Sequence, residues 1–91
     1  MESNIYMLLL EQSLIDYVNP KKINKILFYV TRNLLKNKEY QLVVNAVSLI
    51  RKKNIKIDND GLMTIIIWLT EAKESTKANS LISDNINSLD F

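Results

Sequence analysis

This chain of 91 residues contains only one proline and only one glycine. Sheet proteins need many tight turns, which draw heavily on both residues, so their scarcity favours helices joined by short connections. A hydrophobic fraction of 47% is enough to build a core and argues against disorder. A chain of this length has room for one domain, so residues 1–91 are predicted to form a single all-α unit.

The pair Asn19-Pro20 marks the clearest boundary between two helices. Asparagine is a preferred N-cap because its side chain accepts a hydrogen bond from an early backbone N–H, and proline suits the first helical turn. Asn54 is expected to end the third helix in a left-handed conformation. The predicted helices span residues 4–18, 20–36, 38–53, 60–73 and 76–87, and residues 89–91 form a tail.

The fourth segment allows a second interpretation. The run LMTIIIWL, residues 62–69, is rich in β-branched and aromatic residues and has the character of a buried strand. No second run of this kind is present to pair with it, and its flanks, DND and EAKE, fit the ends of a helix. A helix is therefore the favoured interpretation, and a strand would refute the all-α prediction.

The apolar pattern repeats after 35 residues. This shift carries the apolar stripe of the second helix onto that of the fourth and keeps register through the linker. The matched pairs are Leu27 with Leu62, Val30 with Ile65, Leu34 with Leu69, Val43 with Ala78, Ala46 with Leu81 and Val47 with Ile82. The pattern predicts about five helices in antiparallel hairpins, as a short α-solenoid-like stack. Its parts are a half unit at 1–19 and helix pairs at 20–58 and 59–88.

The first full helix pair ends with the basic run RKK and the link NIKID, residues 54–58. A 35-residue helix pair with this ending resembles the pentatricopeptide repeat family. Two departures are Asn54, where the family has glycine, and Ile57, where it has proline. The resemblance implies RNA binding, with two positions per unit that specify a base. Those positions are Phe28 and Asp58, and Phe28 departs from the small polar residue usual there.

Charge is segregated along the chain although the net charge is only +2. Residues 21–56 hold ten cations and one carboxylate, whereas residues 1–20 hold three carboxylates and residues 57–91 hold six carboxylates and two cations. At about 100° per residue, four cations of the second helix lie within about 60° of one another and opposite its apolar stripe. They are Lys21, Lys25, Arg32 and Lys36.

Aromatic residues accompany this basic face. Phe28 is expected to project from it, and Tyr29 from its edge. Cations around an exposed ring suit single-stranded RNA, because phosphates meet the cations and a base stacks on the ring. Arg51, Lys52 and Lys53 are expected to continue the face at the groove edge. The competing interpretation is a solvated helix face, with these last three cations only complementing the helix dipole.

Assembly with another protein is the alternative function. The first helix is apolar on nearly every side and the fourth carries large apolar residues, so one or both are expected to contact another chain or a second copy. The candidate interface residues are Leu9, Leu10, Ile67 and Trp68. In this interpretation Phe28 packs on a neighbouring helix or a partner, and no nucleic acid is bound. A third hypothesis, a small regulatory protein of a virus or plasmid, has no distinguishing feature in the sequence.

Catalysis is not expected. The chain has no cysteine and no histidine, which removes thiol nucleophiles, thiolate metal sites and the usual general base near neutral pH. No cofactor or metal is predicted. No apolar run is long enough to span a membrane, and the N-terminus lacks the basic residues of a signal peptide. The chain is expected to act inside the cell, in the cytoplasm or in a mitochondrion.

Overall fold

A computed structural model describes residues 2–17 and 19–85 of the chain. Within these residues the backbone forms five α-helices and no strand. They are α1 (Glu2–Ile15), α2 (Pro20–Lys36), α3 (Tyr40–Lys52), α4 (Asn59–Glu71) and α5 (Ser75–Asn85). The all-α prediction is confirmed, and residues 62–69 are helical. The predicted end of the fifth helix beyond residue 85 and the tail at 89–91 lie outside the described residues.

The start of α2 follows from two adjacent residues. The Asn19 side chain accepts a hydrogen bond from the backbone N–H of Lys22 at 2.8 Å, and Pro20 occupies the first turn. This bond satisfies a donor that the end of a helix otherwise leaves unpaired. The predicted boundary is confirmed here, whereas α1 begins at Glu2, two residues before its predicted start.

The connections after α2 and α4 have the same local structure. Lys38 and Lys73, which are 35 residues apart, both adopt left-handed backbone angles, with φ of 59° and 64°. In each turn the next residue donates its backbone N–H to a carbonyl five residues earlier, at 2.9 Å after α2 and 2.8 Å after α4. The following helices, α3 and α5, each begin two residues after these lysines. The 35-residue spacing therefore relates the two turns in backbone geometry as well as in sequence.

The two central helices have several neighbours. α2 packs against α1, α3 and α4, and α3 packs against α1, α2 and α5. These contacts, with the short connections, fit antiparallel pairing of α2 with α3 and of α4 with α5. The described part of the chain is flat, with dimensions of 33 × 33 × 17 Å along its principal axes. That thickness suits two layers of helices, because packed helix axes lie about 8–10 Å apart.

The core consists of the residues that the apolar pattern places inside. Along α2 and α4 the buried residues coincide after a shift of 35, which follows from their common periodicity. α3 adds a continuous buried face of its own. The fully buried apolar positions of these three helices are Leu27, Val30 and Leu34, then Val43, Ala46, Val47 and Ile50, and finally Leu69, with Leu62 and Ile65 almost as covered.

A buried asparagine fastens the link between α3 and α4 onto α2. The Asn24 amide nitrogen donates to the carbonyl of Lys56 at 3.0 Å, and its oxygen accepts from the N–H of Asp58 at 2.9 Å. Asn54 enters this link with a φ of 59°, the left-handed conformation that its sequence position predicts. The link has no regular secondary structure, so the Asn24 side chain supplies hydrogen bonds that the backbone of the link would otherwise form with a neighbouring strand or with water.

Candidate nucleic-acid interface

The four cations predicted on the outward side of α2 are all exposed. Lys21, Lys25, Arg32 and Lys36 lie opposite the buried stripe of the helix. Within residues 2–17 and 19–85, none of the four forms an ion pair with a carboxylate. Their positive charges are therefore available to an anionic partner.

Two of these cations border a depression between α2 and α4. Its volume is about 330 Å³, and its lining combines Lys25 and Arg32 with the aromatic residues Phe28, Tyr29 and Trp68. The four residues from α2 follow the spacing i, i+3, i+4, i+7, which brings them to one side of the helix. Trp68 approaches from α4. The structure thus brings together cations and aromatic rings from two helices that are distant in sequence.

Tyr29 is held in place by contacts with α1. Its ring meets that of Tyr6 edge to face, with ring centroids 6.0 Å apart and the ring planes at 67°. The Tyr6 hydroxyl donates to Asn33 Oδ1 at 3.3 Å, and Asn33 Nδ2 donates to the carbonyl of Tyr29 at 2.8 Å. More than half of the Tyr29 surface is still exposed. Tyr29 is therefore a restrained ring with surface left for a ligand.

The prediction that Phe28 projects freely from the basic face is wrong. Its side chain is half-buried and packs against the core, with its ring directly over Gly61 of α4. A Cβ at position 61 would overlap the Cζ of Phe28, so glycine leaves the space that the ring occupies. Packing on a neighbouring helix, the competing interpretation, is therefore correct for Phe28. Its ring contributes to the depression where α2 meets α4.

Trp68 is the aromatic residue that the sequence pattern did not assign to this surface. The apolar run around it favours a place in the core or in an interface, yet Trp68 is only half-buried and lines the depression. The buried residues of α4 form a stripe whose centre lies about 110° around the helix from Trp68. The 35-residue shift was the signal that could have found it. That shift places Trp68 at the position of Asn33, which follows Tyr29 by four residues and so lies on the same side of α2.

The basic run at the end of α3 reaches a different depression. Lys53 lines a cavity of about 570 Å³ whose other walls come from the end of α1 and from α3 and the link after it. Lys52 is exposed and Arg51 is half-buried. None of the four outward cations of α2 lines this second cavity. Continuity of Arg51, Lys52 and Lys53 with the basic face of α2 therefore stays a prediction.

The four predicted interface residues have different environments. Leu10 is fully buried, so its assignment to an interface is wrong and it belongs to the core. Leu9 and Ile67 are exposed, while Trp68 lies in the depression between α2 and α4. Because α1 is apolar on nearly every side, its sequence pattern does not distinguish the inward side from the outward side.

Other kinds of site find no support in the part of the chain that the structure describes. Its histidine, cysteine, aspartate and glutamate residues form no group of three that could hold a metal ion. No described helix combines the length and the apolar character needed to cross a membrane. Comparison of the chain with family models, curated proteins and solved structures finds no match. The basis for a functional proposal is therefore the arrangement of the side chains.

Proposed function

We propose that this chain is a non-enzymatic helical-repeat module that binds single-stranded RNA across α2 and α4. The observation that supports this best is the depression in which Lys25 and Arg32 stand beside Tyr29 and Trp68. RNA phosphates pair with lysine and arginine, while unpaired bases stack on aromatic rings. Bases inside a duplex are already stacked and paired, so the arrangement favours a single strand as the ligand.

The two kinds of side chain have separate tasks in this proposal. Lys25 and Arg32 hold phosphates, and the other outward cations of α2 extend the phosphate path along the helix. One base stacks on Trp68 beside Tyr29. Every base has a flat aromatic face, so this contact tolerates any sequence. Because the ring of Phe28 is engaged with α4, recognition depends on the RNA backbone and on stacking rather than on a base code at that position.

The repeat architecture of the proposal rests on the 35-residue spacing. The turns at Lys38 and Lys73 share their backbone geometry, and the buried stripes of α2 and α4 coincide under the same shift. α2 contacts α4, and α3 contacts both α1 and α5, as expected for a stack with α2 and α4 in one layer and the other helices in the second. These features support a likeness to pentatricopeptide repeats, whose first helices line the RNA-binding groove.

A titration of fluorescently labelled oligouridylate tests the proposal. Trp68→Ala is expected to cost about 1–3 kcal/mol of binding free energy, because a base loses its stacking partner. Arg32→Ala should weaken binding to all sequences alike and lower the salt dependence by about one phosphate contact. Lys77→Ala, on α5, is the control for charge, since that lysine already pairs with Glu74 at 3.4 Å and should leave the salt dependence unchanged.

The control for the apolar change is Met63→Ala, which removes an exposed side chain from another side of α4. It should leave RNA affinity unchanged, and an RNA duplex of the same length should compete poorly. The proposal is wrong if no saturable binding occurs at low salt, or if Trp68→Ala and Met63→Ala have equal effects.

Assembly with another protein is a second candidate function, favoured by a different surface. α1 exposes a set of large apolar side chains, Ile5, Leu8, Leu9 and Ile15. Contiguous exposed apolar surface usually marks an interaction site. This candidate is compatible with RNA binding, because the two surfaces belong to different helices.

A further inference from the structure

The outward side of α1 is a second apolar face of that helix. Ile5, Leu8 and Ile15 are 64%, 62% and 77% exposed. At about 100° per residue these three lie within about 80° of one another and on the side opposite the buried Leu10. α1 therefore has one apolar side in the core and another in solvent, which distinguishes it from α2.

The corresponding positions of α3 are covered. The 35-residue shift carries Leu8 onto Val43 and Ile15 onto Ile50, and both of these α3 residues are fully buried. α3 packs against α1, α2 and α5, whereas α1 packs against α2 and α3. Within the described residues, α3 therefore has two preceding neighbours, α1 and α2, for which α1 has no counterpart. A helix that covered the outward side of α1 would take the place of one of these two.

The charges on and beside α1 indicate what kind of helix would bind there. Glu11 is exposed on α1 and Asp16 is exposed directly after its end, and residues 1–20 contain no lysine or arginine. An apolar stripe with cations beside it would complement this surface. Two copies of α1 placed face to face would instead bring like charges together, which argues against a second copy as the partner.

We infer that the outward face of α1 binds an amphipathic helix of another protein, with lysine or arginine beside its apolar stripe. The helix packs on α1 as α2 packs on α3. This inference goes beyond RNA binding and gives the assembly candidate, on which it rests, a specific kind of partner. Its basis is the correspondence between α1 and α3, and the depression between α2 and α4 plays no part in it. A failed RNA titration would therefore leave it standing.

A labelled peptide with the sequence of residues 19–36 is the probe, because it carries the N-cap, the apolar stripe and the cations of α2. Its fluorescence anisotropy is measured as the full chain is added. Saturable binding is expected. Leu8→Gln and Ile5→Gln should each weaken it several-fold, since both remove apolar contact area from an exposed position. Met63→Gln, at an exposed apolar position of α4, is the matched control and should leave binding unchanged.

A peptide with the same residues in scrambled order should not bind. The inference is overturned if the native peptide does not bind, or if it binds the wild type and both α1 variants equally, as it would by replacing α2 on α3. Dimerisation of the wild type in sedimentation, abolished by Leu8→Gln, would also overturn it and make a second copy the partner. Circular dichroism should show unchanged helix content in both variants, and unfolding of both would show that the face is not free.

Discussion

Helices α2 and α4 bury the same positions but present opposite chemistry to solvent. Their buried stripes coincide after a shift of 35, from Leu27 and Leu62 at one end to Leu34 and Leu69 at the other. The outward positions differ in charge and size. The outward pairs are Lys25 with Asp60, Arg32 with Ile67 and Lys36 with Glu71. The buried half of each helix determines how it packs in its hairpin, whereas the outward half is free to bind a ligand.

This difference divides the candidate site between the two helices. α2 supplies the cations and Tyr29, while α4 supplies Trp68 and the glycine that makes room for Phe28. The proposed RNA surface is therefore a joint product of two unlike helices rather than one motif used twice.

Truncation inside the two stripes is expected to have the largest effect. Leu27→Ala and Leu62→Ala remove side chains that are almost completely buried, and each should lower the free energy of unfolding by about 2–5 kcal/mol. Urea denaturation followed by circular dichroism measures the loss. Ile67→Ala, at an exposed position, should change it by no more than about 0.5 kcal/mol. A large loss at one leucine and none at the other would break the equivalence of the stripes.

The helices also differ at their N-terminal ends, where α2 is longer and Asn24 holds the link to α4. Asn24→Ala should lower the free energy of unfolding by about 1–3 kcal/mol, because two backbone groups lose their partner. Asn45→Ala removes an exposed asparagine of α3 and is the control in the same denaturation experiment. Similar small effects for both would mean that water replaces the Asn24 bonds at no cost.

The contact between Phe28 and Gly61 joins the two outward halves. Gly61→Ala should lower the free energy of unfolding by about 1 kcal/mol, at the low end for overpacking because the half-buried ring has room to turn toward solvent. In a Phe28→Leu background the clash is absent, and the same change should stabilise the helix by up to about 1 kcal/mol. A double-mutant cycle by urea denaturation compares the four proteins, and additive effects would show that residues 28 and 61 do not interact.

An arginine introduced on α4 at the position equivalent to Arg32 is expected to have the smallest effect on RNA binding and stability. Ile67→Arg places an arginine at the position equivalent to Arg32 and should increase the salt dependence of RNA binding by about one phosphate contact. Stability should change by no more than about 0.5 kcal/mol, because Ile67 is exposed. Titrations at several salt concentrations measure the slope. An unchanged slope would indicate that the RNA phosphates contact α2 and do not reach position 67 of α4.

Much of the fold could be predicted because it depends on local signals. The Asn19-Pro20 boundary, the left-handed Asn54 and the stripes 35 residues apart are properties of single helices or turns. Each is fixed by backbone geometry and by which residues share one helix face. α1 shows the limit of such signals. With apolar residues on two opposite sides, its pattern could not reveal that Leu10 is buried while Leu8 is exposed.

The candidate site could be predicted only in part. The exposed cations of α2 follow from their position opposite a core stripe, and the structure confirms their exposure. The environments of Phe28 and Trp68 depend on where α4 lies against α2. A helical wheel shows which residues share a face of one helix, but it does not show which neighbour covers the edge of that face. Phe28 is at such an edge, and Gly61 allows its ring to pack there.

Tryptophan fluorescence is the most direct test of the central claim, because Trp68 is the only tryptophan in the chain. The emission of the wild-type protein is followed as oligouridylate is added at low salt and again at high salt. A base that stacks on the indole should quench or shift the emission to saturation, with an affinity that falls as salt rises. Unchanged emission while labelled RNA binds by anisotropy would place the RNA elsewhere, and unchanged emission without any binding would remove RNA as the ligand.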